Sequence, residues 1–304
     1  LSVVAYIFSK QAIEKQAQED IARQVAALDD RFRMEYRVNL KRNLRELTSA
    51  PLLDDYLSSS EVEKPIIARK IERLFLQMVA DFEGYESIYF IDLTGKEKVG
   101  VRGKKRVRQL GDVRQRTRHL DRPETPSFRE ASNRLFKRLE AQVPPEVHIE
   151  GPFIDARGET WFLAGMSKLD YDTDGLGGVI SIRCSLKPFL DYAGRVEFFG
   201  EDLICIGAPN GQILKDSIKD LTVFGPTPKG FQEALALLIS EGGTLAIQDL
   251  FIVSGQPFVR VAIGVPESLL LANLQPTFRF FSVVFICAVV VVSGVALYLS
   301  RYLS

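Results

Sequence analysis

The chain has 304 residues, with 39 basic and 39 acidic side chains and three cysteines. Balanced charge offers no electrostatic footprint for nucleic acid, and three cysteines without metal-like spacing exclude a disulfide framework or a zinc module. About 265 residues between two apolar ends exceed one small core and suit two modules on a common support.

In chain order, the run Leu1 to Phe8 is apolar and stops at Ser9 and Lys10. It reads as the outer end of a first transmembrane helix (1–8). From Ser9 to Ala50 (9–50) apolar residues recur every three or four positions, at Ile13, Ala17, Ile21, Val25, Leu28, Phe32, Tyr36, Leu40, Leu44 and Leu47. This pattern predicts one amphipathic helix of about forty residues, reaching roughly 60 Å. A helix that long must cover its apolar face. The expectation is its own domain above and, through Ile21 to Tyr36, a parallel homodimer below.

A second helix follows Pro51, with Ile67, Ile71, Leu74, Phe75, Met78 and Phe82 on one side. Strands are then expected at Ser87 to Asp92, Lys98 to Val101, His148 to Phe153, Thr160 to Leu169 and Gly178 to Cys184, with a helix from Ser127 to Leu139. The basic stretch Lys104 to Arg122 lacks periodicity and reads as a solvated loop. Ser185 to Arg195 is a helical connector that closes a first module (51–195). The same order returns on a smaller scale (196–275). Strands at Leu203 to Ile206 and Gln212 to Lys215 precede a helix at Lys229 to Ser240 and strands at Thr244 to Gln248, Phe251 to Ser254 and Phe258 to Val265. Ile88 precedes Gly95 by the same interval as Ile204 precedes Gly211, a trace of internal repetition. The fold class is therefore α+β, a long N-terminal helix supporting two modules.

After a break expected at Pro276, Phe280 to Leu299 reads FFSVVFICAVVVVSGVALYL without a charge. About twenty such residues match a ~30 Å hydrocarbon core, so 276–300 is expected to be a second transmembrane helix, with 301–304 beginning a cytoplasmic linker. Arg301 beyond it places 9–275 outside the cytoplasm by the positive-inside rule.

Catalytic chemistry finds no support. His119 and His148 have no nucleophile or paired carboxylate at motif spacing, and the glycines of Gly175 to Gly178 are followed by no Lys-Ser or Lys-Thr pair. Cys184 and Cys205 are expected as two buried strand thiols, with a bridge between them as the alternative in an oxidising compartment. Asp170, Asp172 and Asp174, followed by Gly175, reproduce the first half of a calcium loop, whereas the twelfth position is Ser181. The same composition suits a plain turn. Calcium is the only cofactor the sequence suggests.

The segments LRELTSAPLLDDYL, ESIYFIDLTGKE, PSFREA, FLAGMSKLDYDTDGLGGVISI and EDLICIGAPNGQIL, in this order between two apolar ends, resemble the double Cache (dCache) sensor domains of bacterial transmembrane receptors. The resemblance implies a periplasmic or extracellular domain in the inner membrane, with two PAS-like modules. It also implies a ligand pocket in the membrane-distal module and a membrane-proximal module that relays. The matching pocket residues are Tyr89, Phe128, Arg129, Trp161, Ser167 and Arg183, which suit a small molecule, an anion among the options. The Arg-x4-Trp pattern of the amino-acid-sensing subgroup is absent. The ending LYLSRYLS looks like the approach to a HAMP linker. A sensor histidine kinase of a two-component system is the first choice for the output, with diguanylate cyclase and methyl-accepting chemotaxis protein as alternatives. A membrane-anchored scaffold without signal output is the rival from another class.

Overall fold

The computed structural model describes residues 2–103, 105–107, 126–141, 146–155, 158–170, 175–195, 203–216, 230–240, 244–253, 257–265, 267 and 274–303. Helix α1, Ser2–Phe32, continues through a π-helical segment, Arg33–Asn39, into α2, Leu40–Thr48. The expected uninterrupted α-helix is thus corrected, and the spacing of the apolar residues supplies the reason. Leu28, Phe32, Tyr36, Leu40 and Leu44 are each four apart. In an α-helix of 3.6 residues per turn each such step rotates the stripe by about 40°, so four in succession would carry it to the far side. The longer i→i+5 turn of a π segment absorbs that drift. All five of these residues are buried, Phe32, Leu40 and Leu44 completely.

Beyond Thr48 come α3, Pro51–Ser58, and α4, Lys64–Asp81, two helices where one was expected. The distal sheet consists of β1 Tyr85–Ile91, β2 Glu97–Arg102, β3 Lys105–Arg106, β4 His148–Ile154, β5 Thr160–Asp170 and β6 Gly175–Ser185, ordered β3-β2-β1-β6-β5-β4 and antiparallel throughout. Helix α5, Pro126–Glu140, lies against β4, β5 and β6. The short strand β3 falls at the start of the stretch expected to be all loop, and 108–125, with His119, lies outside the described residues. Helix α6, Lys187–Ala193, leads to the proximal sheet. That sheet contains β7 Leu203–Gly207, β8 Ile213–Asp216, β9 Thr244–Leu250 and β10 Val259–Val265, ordered β8-β7-β10-β9, with α7, Phe231–Ser240, beside β7 and β10. No strand forms at Phe251 to Val253; Phe258 donates its amide to Leu250 O at 2.8 Å and closes the β9–β10 connection.

The repetition in the sequence has a geometric counterpart. Gly95 and Gly211 have φ of 82° and 85°. Each donates its amide three residues back, to Asp92 O and Ala208 O, at 2.9 Å. Glycine alone adopts that left-handed turn without steric cost.

The stripe of the long helix belongs to both modules. Its lower part meets β9, β10 and α6, and α2 meets β5 and β6. Phe32 meets Phe189 edge-on at 5.0 Å and lies 6.3 Å from Phe258, Tyr36 meets Phe162 at 5.6 Å, and Phe162 meets Phe258 at 5.1 Å. One continuous core results. The homodimer seam expected at Ile21 to Tyr36 is therefore corrected: Ile21, Val25, Leu28, Phe32 and Tyr36 are buried inside their own chain, with Tyr36 against Phe162 of the distal sheet.

Cys184 and Cys205 are buried and free, as expected. Helix α8, Leu274–Leu303, passes through Pro276 without a break, because a proline in the first turn of a helix forfeits no hydrogen bond. Among the described residues no helix is long and apolar enough to cross a membrane.

Phe32→Ala is expected to destabilise the chain by about 3–5 kcal/mol, read from denaturant unfolding, because it empties the junction between the modules. The Tyr36 hydroxyl donates to Ser185 O at 3.0 Å, and burial, reinforced by Glu35, raises its pKa far above the ordinary 10.0. Above pH ~10 the unfolded chain releases this proton while the folded chain keeps it, so stability falls as pH rises. Tyr36→Phe should flatten that alkaline loss in melting curves taken between pH 9 and 11.

Candidate functional site

Strand alternation divides the distal sheet into two faces. Ile88, Phe90, Phe162, Ala164, Ile180 and Ile182 point to the long helix and join the main core. Tyr89, Ile91, Trp161, Leu163 and Val179 point the other way and meet Ala131, Leu135, Phe136 and Leu139 of α5. Gly165 marks the closest approach, since a Cβ there would sit 2.8 Å from Leu139 Cδ1. Helix α5 is tied to this side by Glu150, buried on β4, which pairs with Arg134 at 3.3 Å and Arg138 at 3.0 Å.

The register then assembles the site. Ser87 lies between Arg102 and Arg183, and Tyr89 lies between Gly100 and Ser181. Leu163 pairs with Arg183 and Gly165 with Ser181. Two cross-strand rows on the α5 side of β1, β6 and β5 therefore carry a serine and an arginine, and a tyrosine and a serine. Ser87 is 1% exposed, and its hydroxyl oxygen has no hydrogen-bond partner among the described residues. A buried hydroxyl left in that state costs free energy that a bound polar group would recover.

Arg183 is more engaged than the sequence implied. Its Nε lies 2.6 Å from Glu86 Oε2, its Nη2 lies 3.9 Å from Asp155 Oδ2, and its guanidinium stacks 4.4 Å from the centre of the Trp161 ring. Trp161 in turn rests on Phe153 at 4.8 Å. Burial raises the pKa of Glu86, an effect partly offset by Arg183. One guanidinium therefore faces two carboxylates. Glu86 and Asp155, absent from the sequence-derived set, complete this group: the β1–β6 pairing brings in Glu86, and Asp155 follows β4, two strands along the sheet from β6.

Among the other expected site residues, Tyr89 and Trp161 lie on the α5 side. Ser167 is also on this face but donates its hydroxyl to Leu139 O at 3.2 Å, which anchors the end of α5. Phe128 and Arg129 belong to the first turn of α5; their side chains lie outside the described residues. Asp170 pairs with Gly175 and closes the β5–β6 hairpin, and Asp172 and Asp174 lie outside the described residues. Among the described residues no group of histidine, cysteine, aspartate or glutamate side chains is arranged to hold a metal ion. His148, on β4, has its pKa lowered by burial and by Arg138.

Removing the Arg183 side chain should affect folding as well as any ligand, because it leaves Glu86 partly buried and uncompensated. Arg183→Ala is expected to cost about 2 kcal/mol in denaturant unfolding. Adding Glu86→Gln should recover part of that loss, and a double-mutant cycle reads the coupling directly.

No protein-family model matches the chain, and no curated protein matches it. Solved structures do match. The extracellular domain of a protein described as a histidine kinase, vpHK1S-Z8, superposes with a TM-score of 0.57 at 13% identity, covering 88% of this chain and 96% of that one. A domain of a sensory box/GGDEF family protein from Vibrio parahaemolyticus gives 0.55 at 14% identity, covering 86% and 99%. The ligand-binding domain of the Campylobacter jejuni chemoreceptor Tlp3, in complex with 4-methylisoleucine, gives 0.54 at 11% identity, covering 86% and 94%. With its long helix and its two antiparallel sheets in series, the chain has the fold of the double Cache sensory domains of bacterial receptors.

Proposed function

We propose that the chain is the extracytoplasmic ligand-sensing region of a bacterial transmembrane receptor. A small molecule binds on the α5 side of the distal sheet, and its effect travels down the long helix and the proximal module to α8. The observation that carries this reading is the polar group on an otherwise apolar sheet face: the unpartnered Ser87 hydroxyl, the Tyr89 and Ser181 row, and Arg183 between Glu86 and Asp155. A guanidinium beside two carboxylates suits a ligand bearing both signs of charge. The Tlp3 domain, described with 4-methylisoleucine and with L-valine, makes zwitterionic amino acids the first class to screen. The missing Arg-x4-Trp pattern means that such a ligand would be held by a different residue set.

The membrane placement is part of the proposal. Phe280, Val283, Phe285, Val290 and Val292 of α8 are exposed apolar side chains, as are Ile7 and Phe8 of α1. The two helices touch, and Lys10 reaches Glu267 at 2.5 Å, so both apolar ends lie at the same end of the molecule. One bilayer would cover both. The output is proposed as a histidine kinase, with a diguanylate cyclase or chemotaxis signalling region as alternatives. The region itself acts as input and performs no catalysis.

Thermal-shift screening of the whole chain in detergent against amino acids and small carboxylates should yield a ligand. Ser87→Val and Tyr89→Ala should each weaken that ligand about tenfold, a loss of ~1.4 kcal/mol. A ligand that binds both variants as tightly as the wild type would place the site elsewhere. A weak calcium site at Asp170, Asp172 and Asp174 is a separate proposal. Calorimetric titration with millimolar calcium should release or absorb heat, and an unchanged melting temperature between calcium and chelator would reduce these residues to a turn.

A further inference from the structure

A second feature lies on the long helix, away from the distal face. Where the π segment passes into α2, the side chains of Arg37, Val38, Lys41, Arg42, Arg45, Glu46 and Ser49 enclose an open groove of about 490 Å³. Four of these seven residues are cationic and one is acidic. Arg37, Lys41 and Arg45 follow one another at intervals of four, a repetition of like charge that destabilises a helix in isolation. The π turn adds to the crowding: with i→i+5 closure, residues four and five positions on both lie over Arg37, so Lys41 and Arg42 share its neighbourhood.

Among the described residues, the acids shown to act on this groove are fewer than its cations. Glu46 is 3.8 Å from Arg42, and the carboxylate of Glu146 acts on Lys41. Arg42 also donates to Asn39 Oδ1 at 3.2 Å. Lys41 is half-buried among these groups. Its pKa is lowered by burial first and then by Arg37 and Arg45, with Glu146 opposing. Positive charge therefore stands in excess in a concave site, with the carbon stems of the arginines and Val38 as walls.

We propose that this groove binds a small, multiply charged anion of the phosphate or sulfate class, with Lys41 and Arg45 as the central ligands and Arg37 and Arg42 at its flanks. Guanidinium forks match the oxygens of such a group two at a time. The anion comes from solution and not from the headgroups of the supporting bilayer, because Lys41 stands ~50 Å along the helix from Phe8. The groove belongs to the long helix, so the site does not depend on the ligand proposed for the distal sheet.

Pyrophosphate serves as the probe, titrated calorimetrically at fixed ionic strength into the whole chain in phosphatidylcholine nanodiscs. Saturable binding is expected. Lys41→Gln with Arg45→Gln should weaken it by at least about tenfold, the loss expected when charge-assisted hydrogen bonds are removed. Lys41→Arg with Arg45→Lys, which keeps both charges, should retain binding and so separate loss of the site from loss of the fold. Arg23→Gln with Arg33→Gln, exposed on the same helix outside the groove, should leave affinity unchanged. Absence of saturable binding, equal weakening by the two glutamine pairs, or affinity that changes when the nanodiscs are made of phosphatidylglycerol would each overturn the proposal.

Discussion

The structure depends on one apolar stripe finding a continuous partner surface along ~45 Å of helix. From Ala17 to Leu47 every member of that stripe is buried, the lower half by the proximal sheet and the upper half by the distal sheet. Neither sheet alone is tall enough to cover it. The aromatic junction of Phe32, Tyr36, Phe162, Phe189 and Phe258 fills the place where the two modules would otherwise leave a gap. Offset and edge-on ring contacts there add to the area they bury, so the junction ties the two modules together.

That connection bears on how a sensor of this design would work. A ligand changes a receptor only through its different affinities for two states, and the difference must be transmitted by elements that move as units. The Ser87, Arg183 and Glu86 group lies at the end of the distal sheet where Tyr85 pairs with Cys184 and the Ser185 amide bonds to Gly84 O. Tyr36 donates to the carbonyl of the same Ser185. The site is thus a few bonds from the π segment of the helix that both modules share. A π turn can convert to α geometry by shifting register, which makes it a natural place for a small displacement to be converted into rotation.

Much of this architecture was legible in the sequence, for identifiable reasons. The three-and-four spacing of Ile21, Val25 and Leu28 fixes a helical face, and the alternation in Ser87 to Ile91 fixes a strand with one polar and one apolar side. Gly95 and Gly211 announced matching turns because a left-handed φ leaves few alternatives. The π segment could also have been read, since four consecutive steps of four are incompatible with a straight α-helix. What escaped were relations between distant residues. Nothing in the neighbourhood of Arg183 reveals that Glu86 and Asp155 will meet it, because the pairing of β1 with β6 brings Glu86 from almost a hundred residues away and Asp155 comes from the end of β4, two strands along the sheet. The stripe looked free for a second chain because the sequence does not say which surface will cover it. Pro276 looked like a break because its consequence depends on where the helix begins.

The central claim, that the long helix joins both modules into one cooperative unit, can be tested by equilibrium unfolding followed with two probes. Trp161 is the only tryptophan and reports on the distal sheet alone, whereas helical circular dichroism reports on the long helix and therefore on both modules. If the stripe and its aromatic junction couple the modules, the two signals will trace one coincident transition in denaturant. Separate midpoints, with helical signal lost before the Trp161 environment changes, would show that the modules are independent and that the shared core does not connect them.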